Sequence, residues 1–131
     1  MRSIATATAA ALLLLSTAVS ADEEEPLDRD GVVELVSGKT ALCRKEKDQS
    51  LCTNYFSDEG VIKQVMDADG ERKEGVWFVD DQDRLCILWT GRIKPLCFGV
   101  YPQADGSYNM IKKEKHITTI LGVEDGNTKN L

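Results

Sequence analysis

Cys43, Cys52, Cys86 and Cys97 have the widest chemical repertoire in this chain. Cysteines ligate zinc, exchange electrons in Cys-x-x-Cys pairs, or oxidise to structural bridges. No Cys-x-x-Cys spacing occurs, and His116 is the single histidine. Zinc and thioredoxin-like chemistry therefore lack their partners, and two disulfides are expected. Cys43–Cys52 and Cys86–Cys97 are the favoured pairs, because each flanks one hairpin turn. If Cys86 faces Cys97, then Leu88 faces Pro95 and Trp89 faces Lys94. Pro95 has no amide hydrogen, and bridged cysteines fit best at the closer, non-hydrogen-bonded sites. The turn is therefore expected as a loop over Thr90–Ile93, closed by the 89/94 pair. Alternation then puts Leu85, Ile87, Trp89, Leu96, Phe98 and Val100 on the core face, and the Cys86–Cys97 bridge on the outer one.

Other chemistry is weakly signalled. His116 lies in KKEKHITTI, at a turn-to-strand junction among lysines, where an exposed histidine is expected rather than a catalytic one. Acidic residues are abundant, so no carboxylate pair stands out as a glycosidase site. No glycine-rich phosphate loop is present. Asp67-Ala68-Asp69-Gly70 looks like the opening of a calcium loop, but Phe78 occupies the twelfth position where glutamate belongs, so a hairpin turn is expected. Met66, Met110 and His116 are soft copper ligands without ligand-like spacing. These readings lead us to expect no catalytic residue, no metal and no cofactor, that is, a protein that is not an enzyme. Trp77, Trp89, Phe98 and Tyr101 are the candidate ligand-binding residues. They could line a barrel mouth that takes a small apolar ligand, or simply fill a small core.

The elements that must carry these residues begin after MRSIATATAAALLLLSTAVSA. Arg2, the apolar run Ala9–Leu15 and the small residues Val19-Ser20-Ala21 have the pattern of a cleaved secretory signal peptide over residues 1–21. Its apolar run is shorter than the roughly 20 residues of a membrane span. An exported protein without a membrane span is expected. Residues 22–30 hold Asp22, Glu23, Glu24, Glu25, Asp28 and Asp30 against Arg29. They are expected to form an acidic, disordered arm that could dock a basic partner. Residues 31–131 are expected to form one disulfide-stapled β domain with a short leading helix. Within LDRDGVVELVSG, Asp28 is a good N-cap, Leu27 and Val32 form a hydrophobic staple, and Gly38 is a suitable C′ residue. The full chain carries a net charge of −6 and no evident basic face, so a nucleic-acid partner is not expected.

From Lys39 onward, short strand patterns alternate with Asp- and Gly-containing turns. The candidates are Thr40–Arg44, Leu51–Phe56, Gly60–Met66, Lys73–Val79, Arg84–Trp89, Pro95–Tyr101, Ser107–Ile111 and His116–Leu121. Short strands at regular spacing, each joined to the next by a short turn, predict an all-β, antiparallel up-and-down barrel of about eight strands, calycin-like in plan.

The chain also resembles an uncharacterised family of small proteobacterial periplasmic domains. The resemblance rests on the short helix before Gly38-Lys39-Thr40 and on Tyr55-Phe56 with Asp58-Glu59-Gly60. Further along it rests on Gly75-Val76-Trp77, Arg84-Leu85-Cys86 answered by Cys97, Asp105-Gly106, and Gly126-Asn127 before Leu131. Cys43 and Cys52 fall outside that pattern. The resemblance implies a periplasmic, lipocalin- or streptavidin-like barrel with no catalytic residue. Sequence alone favours an exported, protein-binding accessory module of the envelope. The alternatives are a carrier of a small apolar ligand, or an inhibitor of a cationic hydrolase such as lysozyme.

Overall fold

The computed structural model describes residues 25–131. The signal-peptide reading and the start of the acidic arm lie outside them. Helix α1 (Arg29–Val36) is followed by β1 (Lys39–Lys45), β2 (Leu51–Phe56), β3 (Val61–Met66) and β4 (Arg72–Val79). Then come β5 (Leu85–Trp89), β6 (Leu96–Pro102), β7 (Tyr108–Lys112) and β8 (Lys115–Asp125). Each strand pairs antiparallel with the next, and β8 pairs back with β1 to close the barrel. β8 is longer than its sequence signal, reaching Asp125 opposite Lys39. Its first part pairs with β7 as far as Ile120 and its later part pairs with β1 from Thr118, and both ladders contain a register shift.

Turn chemistry sets the strand spacing. Asp48, Asp69, Asp80 and Asp105 each accept a hydrogen bond from the amide two residues on, at 3.0, 2.9, 3.0 and 2.9 Å. A short acceptor side chain thus replaces a backbone partner and reverses the chain. Asp67-Ala68-Asp69-Gly70 is one of these hairpin turns, between β3 and β4. In the β2–β3 turn Gly60 takes φ +89°, a region costly for residues with a Cβ.

The helix closes one end. Asp28 accepts from the Gly31 amide at 2.8 Å, and Val32 and Val36 point inward, fully buried. The Leu27 amide donates to the Val100 carbonyl at 2.8 Å. Arg29 donates to the carbonyls of Val79 and Asp80, both at 3.0 Å. Residues 27–30, read from sequence as the end of a disordered arm, therefore belong to the folded domain. Capping and packing outweigh their acidity. Beneath the helix, Phe56, Ile62, Leu85 and Val100 form the closed floor. Phe56 and Trp77 meet edge to face, with ring centroids 5.8 Å apart. The last residues fold back rather than extend. Thr40 Oγ1 donates to the Gly126 carbonyl at 2.6 Å and accepts from the Thr128 amide at 3.1 Å.

Both disulfides form as paired from the sequence, Cys43–Cys52 and Cys86–Cys97. Cys86 stands opposite Cys97 in the ladder, with Cα atoms 4.0 Å apart, which fits the closer class of antiparallel site. The β5–β6 ladder ends at Ile87 opposite Leu96. The connecting loop is therefore longer than Thr90–Ile93, and 89/94 does not close it. Pro95 has no amide to offer, and the Thr90 amide is turned to the Glu74 carbonyl of β4 at 3.0 Å.

Candidate functional site

At the end opposite the helix the barrel is open, and a cavity of about 520 Å³ enters its mouth. Strand alternation decides what lines it. From β5 and β6, the inward residues near the mouth are Ile87, Trp89, Leu96 and Phe98. β7 adds Met110, and β8 adds Ile117 and Thr118. These residues make an almost wholly apolar half of the wall.

The other half is polar. On β1 and β2 the Cys43–Cys52 bridge points inward, with both residues buried. Asn54 and Gln64 are directly opposite each other on β2 and β3, and Gln64 is directly opposite Lys73 on β4. Gln64 Nε2 donates to Asn54 Oδ1 at 2.8 Å, and Asn54 Nδ2 donates to Cys43 Sγ at 3.3 Å. Gln64 Oε1 is left over. Its side chain is buried, with 5 % of the residue exposed, and Oε1 finds no hydrogen-bond partner among the described residues. A buried acceptor without a donor costs about 1–3 kcal/mol, so it marks a place where the fold is not at its stability optimum.

Around the rim stand Lys45, Lys47, Lys73 and Lys115. Lys73 Nζ lies 4.2 Å from the centroid of the Trp89 ring. Loss of hydration there, and then the repulsion of Lys45, draw the Lys73 ammonium below the usual lysine value, with Arg92 and Lys47 adding to it and Glu71 opposing it. Glu46 is the one acid lining this cavity among the described residues. Its carboxylate accepts from Arg44 Nε and from Thr119 Oγ1, each at 3.0 Å. Burial works against that charge, but the bonds from Arg44 and Thr119 outweigh it and hold the carboxyl below its ordinary value. The single proton of the Thr119 hydroxyl goes to Glu46, so His116 Nε2, 2.8 Å away, is the donor to Thr119. His116 is thus half-buried and tied into a network, not the freely exposed residue its lysine-rich surroundings suggest.

The four aromatic candidates are divided by the structure. Trp89 and Phe98 line the cavity. Trp77 lies below it in the floor, where its Nε1 donates to the Ser57 carbonyl at 2.8 Å. Tyr101 is on the outer face of β6, its ring over Gly99. The Cys86–Cys97 bridge is also outside, beside the Asp80 carboxylate. These sulfurs are joined to each other, and Asp80 accepts from Gln82 and Arg84, so this cluster holds a hairpin together.

The polar residues Lys45, Asn54, Gln64 and Lys73 escaped the sequence reading. Their signal is a polar residue in the inward phase of a strand, as in Ile62–Gln64–Met66 and in Lys73–Gly75–Trp77. The phase is clear only once the register is known.

Comparison with protein-family models, with curated proteins and with solved structures found no significant match to this chain.

Proposed function

We propose that this is an exported, non-enzymatic barrel that carries a small, largely apolar molecule in its mouth. The observation that supports this best is the cavity itself. At about 520 Å³ it is far larger than the gaps of a packed core and within the range that holds drug-sized ligands. Its wall of Ile87, Trp89, Phe98 and Met110 offers an apolar ligand burial, and the two disulfides suit an oxidising compartment. The resemblance to small periplasmic domains makes the periplasm the proposed compartment, reached through the signal peptide. The carrier reading thus moves ahead of the protein-binding module that sequence alone favours.

A protein-binding role keeps one supporting feature, the exposed outer-face pair Val76 and Phe78 on β4. Its two side chains make a small patch, and single exposed apolar residues are ordinary.

Titration with the neutral fluorophore N-phenyl-1-naphthylamine tests the carrier reading. Saturable fluorescence enhancement is expected, accompanied by quenching of Trp89. Met110→Trp and, separately, Ile117→Trp should narrow the cavity and weaken the enhancement while the far-ultraviolet spectrum is kept. No saturable signal in the native protein, or an undiminished signal in both folded variants, would overturn the reading.

A further inference from the structure

We infer that the molecule held in the barrel mouth is an anionic amphiphile, with a carboxylate-type head at the lysine rim, an apolar body along the Trp89–Phe98 wall, and a hydrogen-bond donor close to the head that meets Gln64 Oε1. This inference rests on the carrier reading and sharpens it.

The charge argument comes first. The chain as a whole is acidic, at −6, yet the rim of this one cavity presents Lys45, Lys47, Lys73 and Lys115. Glu46, the acid among them, is already neutralised by Arg44 at 3.0 Å. A mouth of one sign focuses its potential on what enters, so an anion is attracted and a cation rejected. Lys73 is the central residue, because its ammonium sits over the Trp89 ring, 4.2 Å from the centroid. An ammonium crowded by other cations binds an anion with a charge-assisted hydrogen bond, which relieves that repulsion.

The second argument is independent of charge. Gln64 lines the cavity, and its Oε1 is buried without a donor among the described residues. A donor carried in by the ligand supplies the missing bond. Gln64 stands directly opposite Lys73 on the neighbouring strand, so their Cβ atoms are separated by about 5 Å. The ligand's donor, a hydroxyl or an amide N–H, therefore lies within a few atoms of its anionic head. Beyond that point the wall from Ile87 to Phe98 and Met110 offers no polar side chain, so the rest of the ligand is apolar.

Calorimetry with four probes of equal chain length, below their micelle concentrations, tests the inference. Decanoate should bind at least about tenfold more tightly than decanol, and decyltrimethylammonium more weakly than either. 3-Hydroxydecanoate should exceed decanoate by about three- to tenfold, the worth of one buried neutral hydrogen bond. The Lys45→Gln/Lys73→Gln double variant should erase the preference of decanoate over decanol. Gln64→Leu should erase the advantage of the hydroxyl while keeping the preference for the anion. Thermal melts of both variants confirm folding. Decanol binding as tightly as decanoate would refute the anionic head and leave the carrier reading standing. Equal affinity for decanoate and its hydroxylated form would refute the donor. Failure of all four probes, together with failure of the neutral fluorophore, would remove the carrier reading itself.

Discussion

The two ends of the barrel are built from the same eight strands and do opposite things. At the floor the inward side chains of Phe56, Ile62, Leu85 and Val100 make a closed apolar core, the helix lies across the opening, and the main-chain groups of Leu27, Gly38, Phe56 and Val100 are paired. At the mouth the inward positions are lysine, asparagine, glutamine and a disulfide on one side and apolar on the other. One buried acceptor there has no partner among the described residues. Stability is concentrated at the first end. The second end carries groups that stability alone does not require, which is the usual mark of a surface shaped by binding.

Truncating each end should reveal this asymmetry most strongly. Phe56→Ala removes the ring that packs edge to face on Trp77 and should cost about 3–5 kcal/mol in urea denaturation. Gln64→Leu at the mouth should change stability by no more than about 1 kcal/mol. It loses the bond to Asn54 and also removes the orphaned oxygen, and these roughly cancel. Equal costs at both positions would break the comparison.

The disulfides sharpen it next. Cys43–Cys52 and Cys86–Cys97 close loops of similar length, with sequence separations of 9 and 11. Replacing either pair with serines should therefore cost about 2–3 kcal/mol. Only the Cys43–Cys52 replacement should also alter fluorophore affinity, because only that bridge lines the cavity. An equal change in affinity from the Cys86–Cys97 replacement would contradict this placement.

Smaller still is the helix cap. Asp28→Ala deletes the acceptor for the Gly31 amide and should cost about 1 kcal/mol, read as a lower urea midpoint with an unchanged slope. Fluorophore affinity should not follow it, since the cap serves the floor. The acid response should be the slightest effect of all. Asp80, in the floor-end turn, has its charge opposed by burial, but Arg84 and the Gln82 amide outweigh this and hold its carboxyl below the ordinary value. Glu46 at the mouth behaves likewise through Arg44 and Thr119. A carboxyl depressed in the folded state stabilises it above the unfolded pKa, and that contribution is lost as pH falls through the folded value. Asp80→Asn and Glu46→Gln should each lower stability at neutral pH and flatten its loss in acid. Thermal melts between neutral and acid pH measure both.

The strands and their turns were legible because strand patterns of alternating apolar residues are bounded by Asp and Gly with specific turn chemistry. Cys86 and Cys97 could be paired and placed on the outer wall because Pro95 and the flanking apolar residues restrict the register. Cys43 and Cys52 could be paired but not oriented, since Leu42 and Leu51 beside them are equally apolar and suggest the other phase. Alternation also put Trp89 and Phe98 on one face. It could not separate them from Trp77, because depth along the barrel axis is a tertiary property, whereas the same alternation already set Tyr101 on the outward face of β6. The cavity was illegible for a related reason. Asn54, Gln64 and Lys73 read as lapses in a core pattern until three neighbouring strands bring them side by side.

Methyl-resolved nuclear magnetic resonance of the isoleucines during a decanoate titration tests the central claim most directly. Ile87 and Ile117 line the mouth, whereas Ile62 is fully buried in the floor. Our account predicts saturable shifts at Ile87 and Ile117, with one affinity, while Ile62 stays in place. Shifts confined to methyls outside the mouth, or no saturable shift at Ile87 and Ile117, would contradict it.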